Sequence, residues 1–176
     1  MNNFIGRYLT FSFLNLLLVG SLGIIMRYKI AFYIPFIEQK YVLHSHSHFS
    51  FAGCLTQTLK VMMLYYLFIK NGGLALKKYS WLLYANLITA YGMMISFILR
   101  GYGFYSIGFF LLSIFVSYIF AVYYWKDLNR MHEKIPGHLW LKAPLVFSVL
   151  LSASTFALAF IILKKHNKHQ FLQSNQ

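Results

Sequence analysis

In the stretch VLHSHSHFSFAGC (42–54), three histidines alternate with two serines at the mouth of a long apolar run. A neutral imidazole nitrogen is an axial ligand for heme iron and a ligand for copper or zinc. On a helix that begins near His44, successive side chains turn by about 100°. His44 and His48 then share one face, a turn apart, and His46 points almost the other way. The two sides are alternatives for a single heme iron. The face of His46 continues through Gly53, Gln57 and Lys60. Gly53 carries no side chain, so a flat group or a neighbouring helix can approach there. Lys60 sits near the middle of the run, too deep to snorkel, and needs a partner, water or a cavity. Arg27 closes the preceding apolar run at the same membrane surface, where a guanidinium can pair with a heme propionate. The plainer reading is an amphipathic helix start with serine caps. Three histidines within five residues, ahead of an early glycine, favour ligation over it.

These residues need elements to hold them, and composition defines the elements. The chain has 176 residues, 59% hydrophobic and 20% aromatic, with mean hydropathy +0.59. Only 11% are charged, where soluble domains carry about a quarter. The acidic residues are Glu38, Asp127 and Glu133. A soluble fold of this composition would expose large apolar patches and aggregate. The expected class is all-α: a polytopic transmembrane helical bundle of about five helices. They fall at Tyr8–Met26, His48–Ile69, Trp81–Leu99, Phe104–Trp125 and Trp140–Leu163. We expect one transmembrane domain over 1–165 and a polar tail over 166–176. The first run exceeds the roughly 7–15 residues of a signal-peptide core and reads as a retained helix.

The connections differ in kind. RGYG (100–103) is short enough to force an antiparallel hairpin, and KNGGLALKKYS (70–80) is a basic turn. RYKIAFYIPFIEQKYVL (27–43) is aromatic, contains Pro35, and reads as an interfacial segment. Asn15 and Asn86 join Lys60 and Gln57 as polar groups inside the spans, where they face other helices or a cofactor. Ser12 lies in the first helix. Ser148, Ser152 and Thr155 form a stripe of packing type in the last helix. Cys54 is the only cysteine and reads as a small core residue.

The net charge of +13 is concentrated at the ends of apolar runs. It therefore meets lipid headgroups, and the partner is the bilayer, with no nucleic acid. With a cytoplasmic N-terminus, eight lysines and arginines fall on one side and seven on the other, so charge does not orient the chain. His132, His138, His166 and His169 read as solvated surface. No G-x-S-x-G, P-loop or HExxH motif is present.

LHSHSHFSFAG resembles the start of the second helix in proteins related to heme–copper oxidase subunit I. It is also similar to the HxHExxxG segment of NnrS-like heme- and copper-containing membrane proteins. The resemblance covers the N-terminal half of such a fold. It implies that His46 or His48 is an axial ligand of a low-spin heme near the outer face, with the first helix running outward. Glycine spacing favours His48, and the stripe through Gly53 favours His46. Arg27, Tyr28 and Lys29 match the basic-aromatic end of the first helix in the bacterial relatives. Cys54 stands where those relatives have tryptophan, and Phe49 where the NnrS-like segment has glutamate. The later-helix histidines of an oxygen-reducing site have no counterpart here. The resemblance therefore implies a heme protein of the bacterial inner membrane, working in respiratory electron transfer with a second membrane subunit or as a homo-oligomer. Copper or zinc handling through the same histidines is the alternative, and a non-catalytic scaffold or assembly subunit is a third.

Overall fold

In a computed structural model, the described residues are 2–71, 77–130, 141–150 and 152. They are helical almost throughout, with no strand among them. The elements are α1 (Asn2–Ala31), α2 (Gln39–Phe49), a π-helical segment (Ser50–Leu55), α3 (Thr56–Asn71), α4 (Lys77–Arg100), α5 (Phe104–Asn129) and α6 (Leu141–Leu150). The chain divides into two units, Met1–Met131 and His132–Gln176.

Four helices of the first unit are long and apolar enough to cross a membrane: Ile5–Ala31, Gln39–Ile69, Lys78–Arg100 and Phe104–Asn129. An all-α bundle with lipid-compatible helices is the observed fold class. In the second unit, α6 is apolar, and the hydroxyls of Ser148 and Ser152 donate to carbonyls of their own helix. The rest of the expected fifth span, including Trp140 and Thr155, lies outside the described residues, as do His132, His138 and the tail.

Several boundaries differ from expectation. The first helix runs to Ala31, and the second begins at Gln39, not near His44. The expected interfacial segment 27–43 therefore shrinks to residues 32–38. The helix is carried past Met26 by Tyr28, whose ring stacks on Phe32 at 4.6 Å, and by Lys29, whose amine donates to the Ile34 carbonyl at 3.0 Å. Pro35 ends it, since proline has no N–H and disfavours helix in the residue before it. Tyr33 and Phe36 in this turn are almost fully exposed, as suits aromatic groups at a headgroup boundary.

The hairpin of α4 and α5 forms as the short turn requires. Gly92 makes it close: a Cβ there would meet the Phe109 ring at 2.5 Å. Gly101 turns the chain with φ +61°, a conformation glycine adopts without penalty. α1 buries one stripe, Tyr8, Ser12, Asn15 and Leu22, and leaves most of its surface apolar and exposed.

The π-helical segment is the main surprise. It adds about one residue to a helical turn, so everything after it rotates by about 100° relative to an unbroken α-helix. The expected stripe from His46 through Gly53 to Gln57 and Lys60 is therefore split. His46 faces α1, and the Gly53 carbonyl accepts from Asn15 of α1, whereas Gln57 and Lys60 face α4 and α5.

Candidate functional site

The histidines occupy the second and third turns of α2, and their two faces diverge as the helical spacing requires. His46 turns to α1. Its Nδ1 lies 3.1 Å from the Val19 carbonyl oxygen. Gly23, one turn along α1, borders the ring: a Cβ there would stand 3.5 Å from His46 Cε1. Arg27 is exposed on the same side of α1, one turn beyond Gly23.

His44 and His48 turn to α4 and the α4–α5 turn. The His48 ring lies parallel to Phe97, with centroids 4.7 Å apart, and Phe110 meets it edge-on at 5.4 Å. His48 Nε2 is 3.2 Å from the Tyr102 hydroxyl. The His44 ring meets Tyr102 edge-on at 4.6 Å. His44 Nε2 is buried without a hydrogen-bond partner. Between them Ser45 donates to the Met94 carbonyl at 2.9 Å and ties α2 to α4.

Below the histidines, the π-helical segment is gripped from both sides. Asn15 of α1 donates to the Gly53 carbonyl, and Asn86 of α4 donates to the Ala52 carbonyl at 3.1 Å. The Tyr91 hydroxyl in turn donates to Asn15 Oδ1. The face of Gly53 is filled by its own helix, since a Cβ would meet the Phe49 ring at 2.6 Å. Gly53 therefore makes room for Phe49, not for a flat ligand.

Deeper still, Lys60 is only 4% exposed. Its amine donates to Asn86 Oδ1 at 2.8 Å and Ser117 Oγ at 3.0 Å, and lies 5.5 Å from the centre of the Phe120 ring. Asn86 also donates to Gln57 Oε1 at 2.9 Å, leaving Gln57 Nε2 buried without a partner. The amine is held by neutral groups and an aromatic face, with no carboxylate among these contacts. At the far end of the bundle, Asp127 accepts from both the Tyr79 hydroxyl and the Lys78 ammonium.

Comparison of the chain with protein-family models, curated proteins and solved structures finds no match to any of them. The site must therefore be read from its own chemistry. Among the described residues, no three His, Cys, Asp or Glu side chains gather closely enough to hold a metal ion. Heme asks less, because one imidazole can supply an axial position. His46 fits that role. A carbonyl only accepts hydrogen bonds, so the bond to Val19 fixes the proton on Nδ1 and leaves the Nε2 lone pair available. His48 fits it poorly, because Nε2 is engaged by Tyr102 and the ring is boxed by Phe97, Phe110 and Tyr102.

Sequence reasoning selected His44, His46, His48, Asn15, Asn86, Gln57 and Lys60, but missed Tyr102, Tyr91 and Ser117. Tyr102 carried a usable signal, since a tyrosine between Gly101 and Gly103 in a forced hairpin turn must lie at the membrane end where the histidines are. Tyr91 and Ser117 carried none beyond their polarity.

Proposed function

We propose that this chain is a membrane heme-binding protein of the bacterial inner membrane, with His46 as an axial ligand and a role in respiratory electron transfer. The observation that supports it is the hydrogen bond from His46 Nδ1 to the Val19 carbonyl. Such a bond orients a ligating imidazole and raises its basicity. Gly23 leaves the ring edge uncrowded, and the exposed apolar surface of α1 offers a macrocycle cover. Arg27 is exposed one turn further along, and in this reading its guanidinium pairs with a propionate. A heme bound there would supply one-electron chemistry, with iron alternating between ferric and ferrous. The chain's own residues orient the imidazole through the Val19 carbonyl and offer the Arg27 cation to the propionate edge. A second membrane subunit or a second copy of the chain completes the electron path.

The test is the absorption spectrum of the full chain, produced with heme supplied and purified in detergent. We expect a Soret band in the wild type that His46→Ala abolishes. Wild-type protein without such a band overturns the reading, and a band that survives His46→Ala moves the ligand elsewhere.

A further inference from the structure

We propose that His44, His48 and Tyr102 form a second site, on the opposite face of α2 from His46, that binds one divalent transition-metal ion of the zinc or copper(II) type. His44 and His48 are four residues apart on a continuous helix, the spacing that stacks two side chains on one face. The α4–α5 turn brings a third donor to them. Gly101 holds φ +61° with the Tyr41 ring packed against it, and this turn lays Tyr102 over the histidine pair.

Two observations point to a ligand. First, His44 Nε2 is buried with no hydrogen-bond partner, a costly state for a ring nitrogen. Its ring lies against Tyr102, whose oxygen already meets His48. Second, His48 Nε2 and the Tyr102 oxygen are 3.2 Å apart. Two donors on one tetrahedral ion at about 2.0–2.1 Å each are separated by about 3.3 Å. The ion would replace the proton shared between these atoms. Each imidazole binds through a neutral nitrogen, and the Tyr102 hydroxyl binds as phenolate, its proton passing to solvent. Two imidazoles and one phenolate suit zinc or copper(II) and are a poor set for magnesium or calcium. Tyr102 is 59% exposed, which gives the ion a way in and leaves a coordination position for water. The Phe97 and Phe110 rings hold the His48 ring in place without using a nitrogen.

This site shares no residue with the heme reading, so the two fail separately. The full chain, purified in detergent and stripped of metal with a chelator, is titrated with copper(II) and followed by electron paramagnetic resonance, with zinc as competitor. We expect one copper per chain, nitrogen couplings from two imidazoles, and displacement by zinc. His44→Ala and His48→Ala should each weaken binding about tenfold or more. Tyr102→Phe keeps the ring packing, and should remove the phenolate-to-copper charge-transfer band and lower affinity. His46→Ala should leave copper binding unchanged while affecting heme. Wild-type protein that takes up no stoichiometric copper or zinc overturns the proposal. So does binding that is indifferent to His44→Ala and His48→Ala, or lost with His46→Ala. Should either alanine variant fail to fold, Tyr102→Phe decides: wild-type affinity with the band intact overturns the proposal.

Discussion

Asn86 is the residue on which most of the buried polar chemistry converges. Its amide accepts from Lys60 and donates to Gln57 and to the Ala52 carbonyl, so it connects α3, α4 and the π-helical segment. The cost of losing it differs from the worth of three average hydrogen bonds. Hydrogen bonds between membrane helices contribute about 0.6 kcal/mol on average, but stranding a buried polar group costs about 1–3 kcal/mol. Asn86→Leu strands the Lys60 amine against Ser117 and an aromatic ring alone. We expect it to lower unfolding stability by about 1–3 kcal/mol, measured by denaturing-detergent titration. Lys60→Met in the Asn86→Leu background should recover part of that loss, because it removes the stranded group. A double variant no more stable than Asn86→Leu alone would show that the two side chains are not coupled. The need for a partner at Lys60 was readable from its depth in the span. The identity of the partners was not, because Asn86 and Ser117 lie 26 and 57 residues away, and only tertiary packing brings them in.

Among the elements, the π-helical segment does most to set the geometry of the site. Hydrophobic pattern alone shows a long helix ending at Ile69 and the α4–α5 hairpin, but it put the start of that helix at His48, where the structure begins it at Gln39. The pattern did not show the extra residue at Ser50–Leu55, because apolar residues run on through it without a change of period. What holds the bulge is non-local: carbonyls displaced from regular α-helical pairing are taken up by Asn15 and Asn86. The Phe49 ring, packed over Gly53 and against Tyr91 at 5.4 Å, fills the widened turn. Gly53→Ala is therefore a stringent probe, since its Cβ would stand 2.6 Å from the Phe49 ring, which is itself fully buried. We expect it to cost about 1–3 kcal/mol. Gly108→Ala, with nothing within 4 Å of its Cβ, should be neutral or stabilising. Thermal unfolding of both variants in detergent compares them directly, and equal midpoints would mean that the close packing at Gly53 does not constrain the helix.

At the scale of the whole molecule, the contacts of the first unit fix which helix ends lie together. Tyr8, at the start of α1, shares a hydrogen bond of 2.8 Å with Ser80, at the start of α4, and Lys78 pairs with Asp127, at the end of α5. At the opposite end, Tyr41 packs on Gly101, and His46 reaches α1 near Gly23. The described spans of this unit therefore alternate in direction. One end carries Tyr8, Lys78 and Asp127; the other carries the histidines, the 32–38 turn and the 101–103 turn. Charge counting left the absolute orientation open, because basic residues flank the spans at both ends; we propose that the histidine end lies outside, the orientation that the resemblance to oxidase second helices would imply. Labelling with a membrane-impermeant maleimide tests this arrangement in a Cys54→Ser background. Tyr33→Cys, in the 32–38 turn, should react in intact cells. Asn129→Cys, at the end of α5, should react only after the membrane is opened. The reverse pattern would keep the alternation and invert the orientation, moving both proposed sites to the inner surface. Reaction of both positions in intact cells would contradict a bundle in which α5 returns across the bilayer.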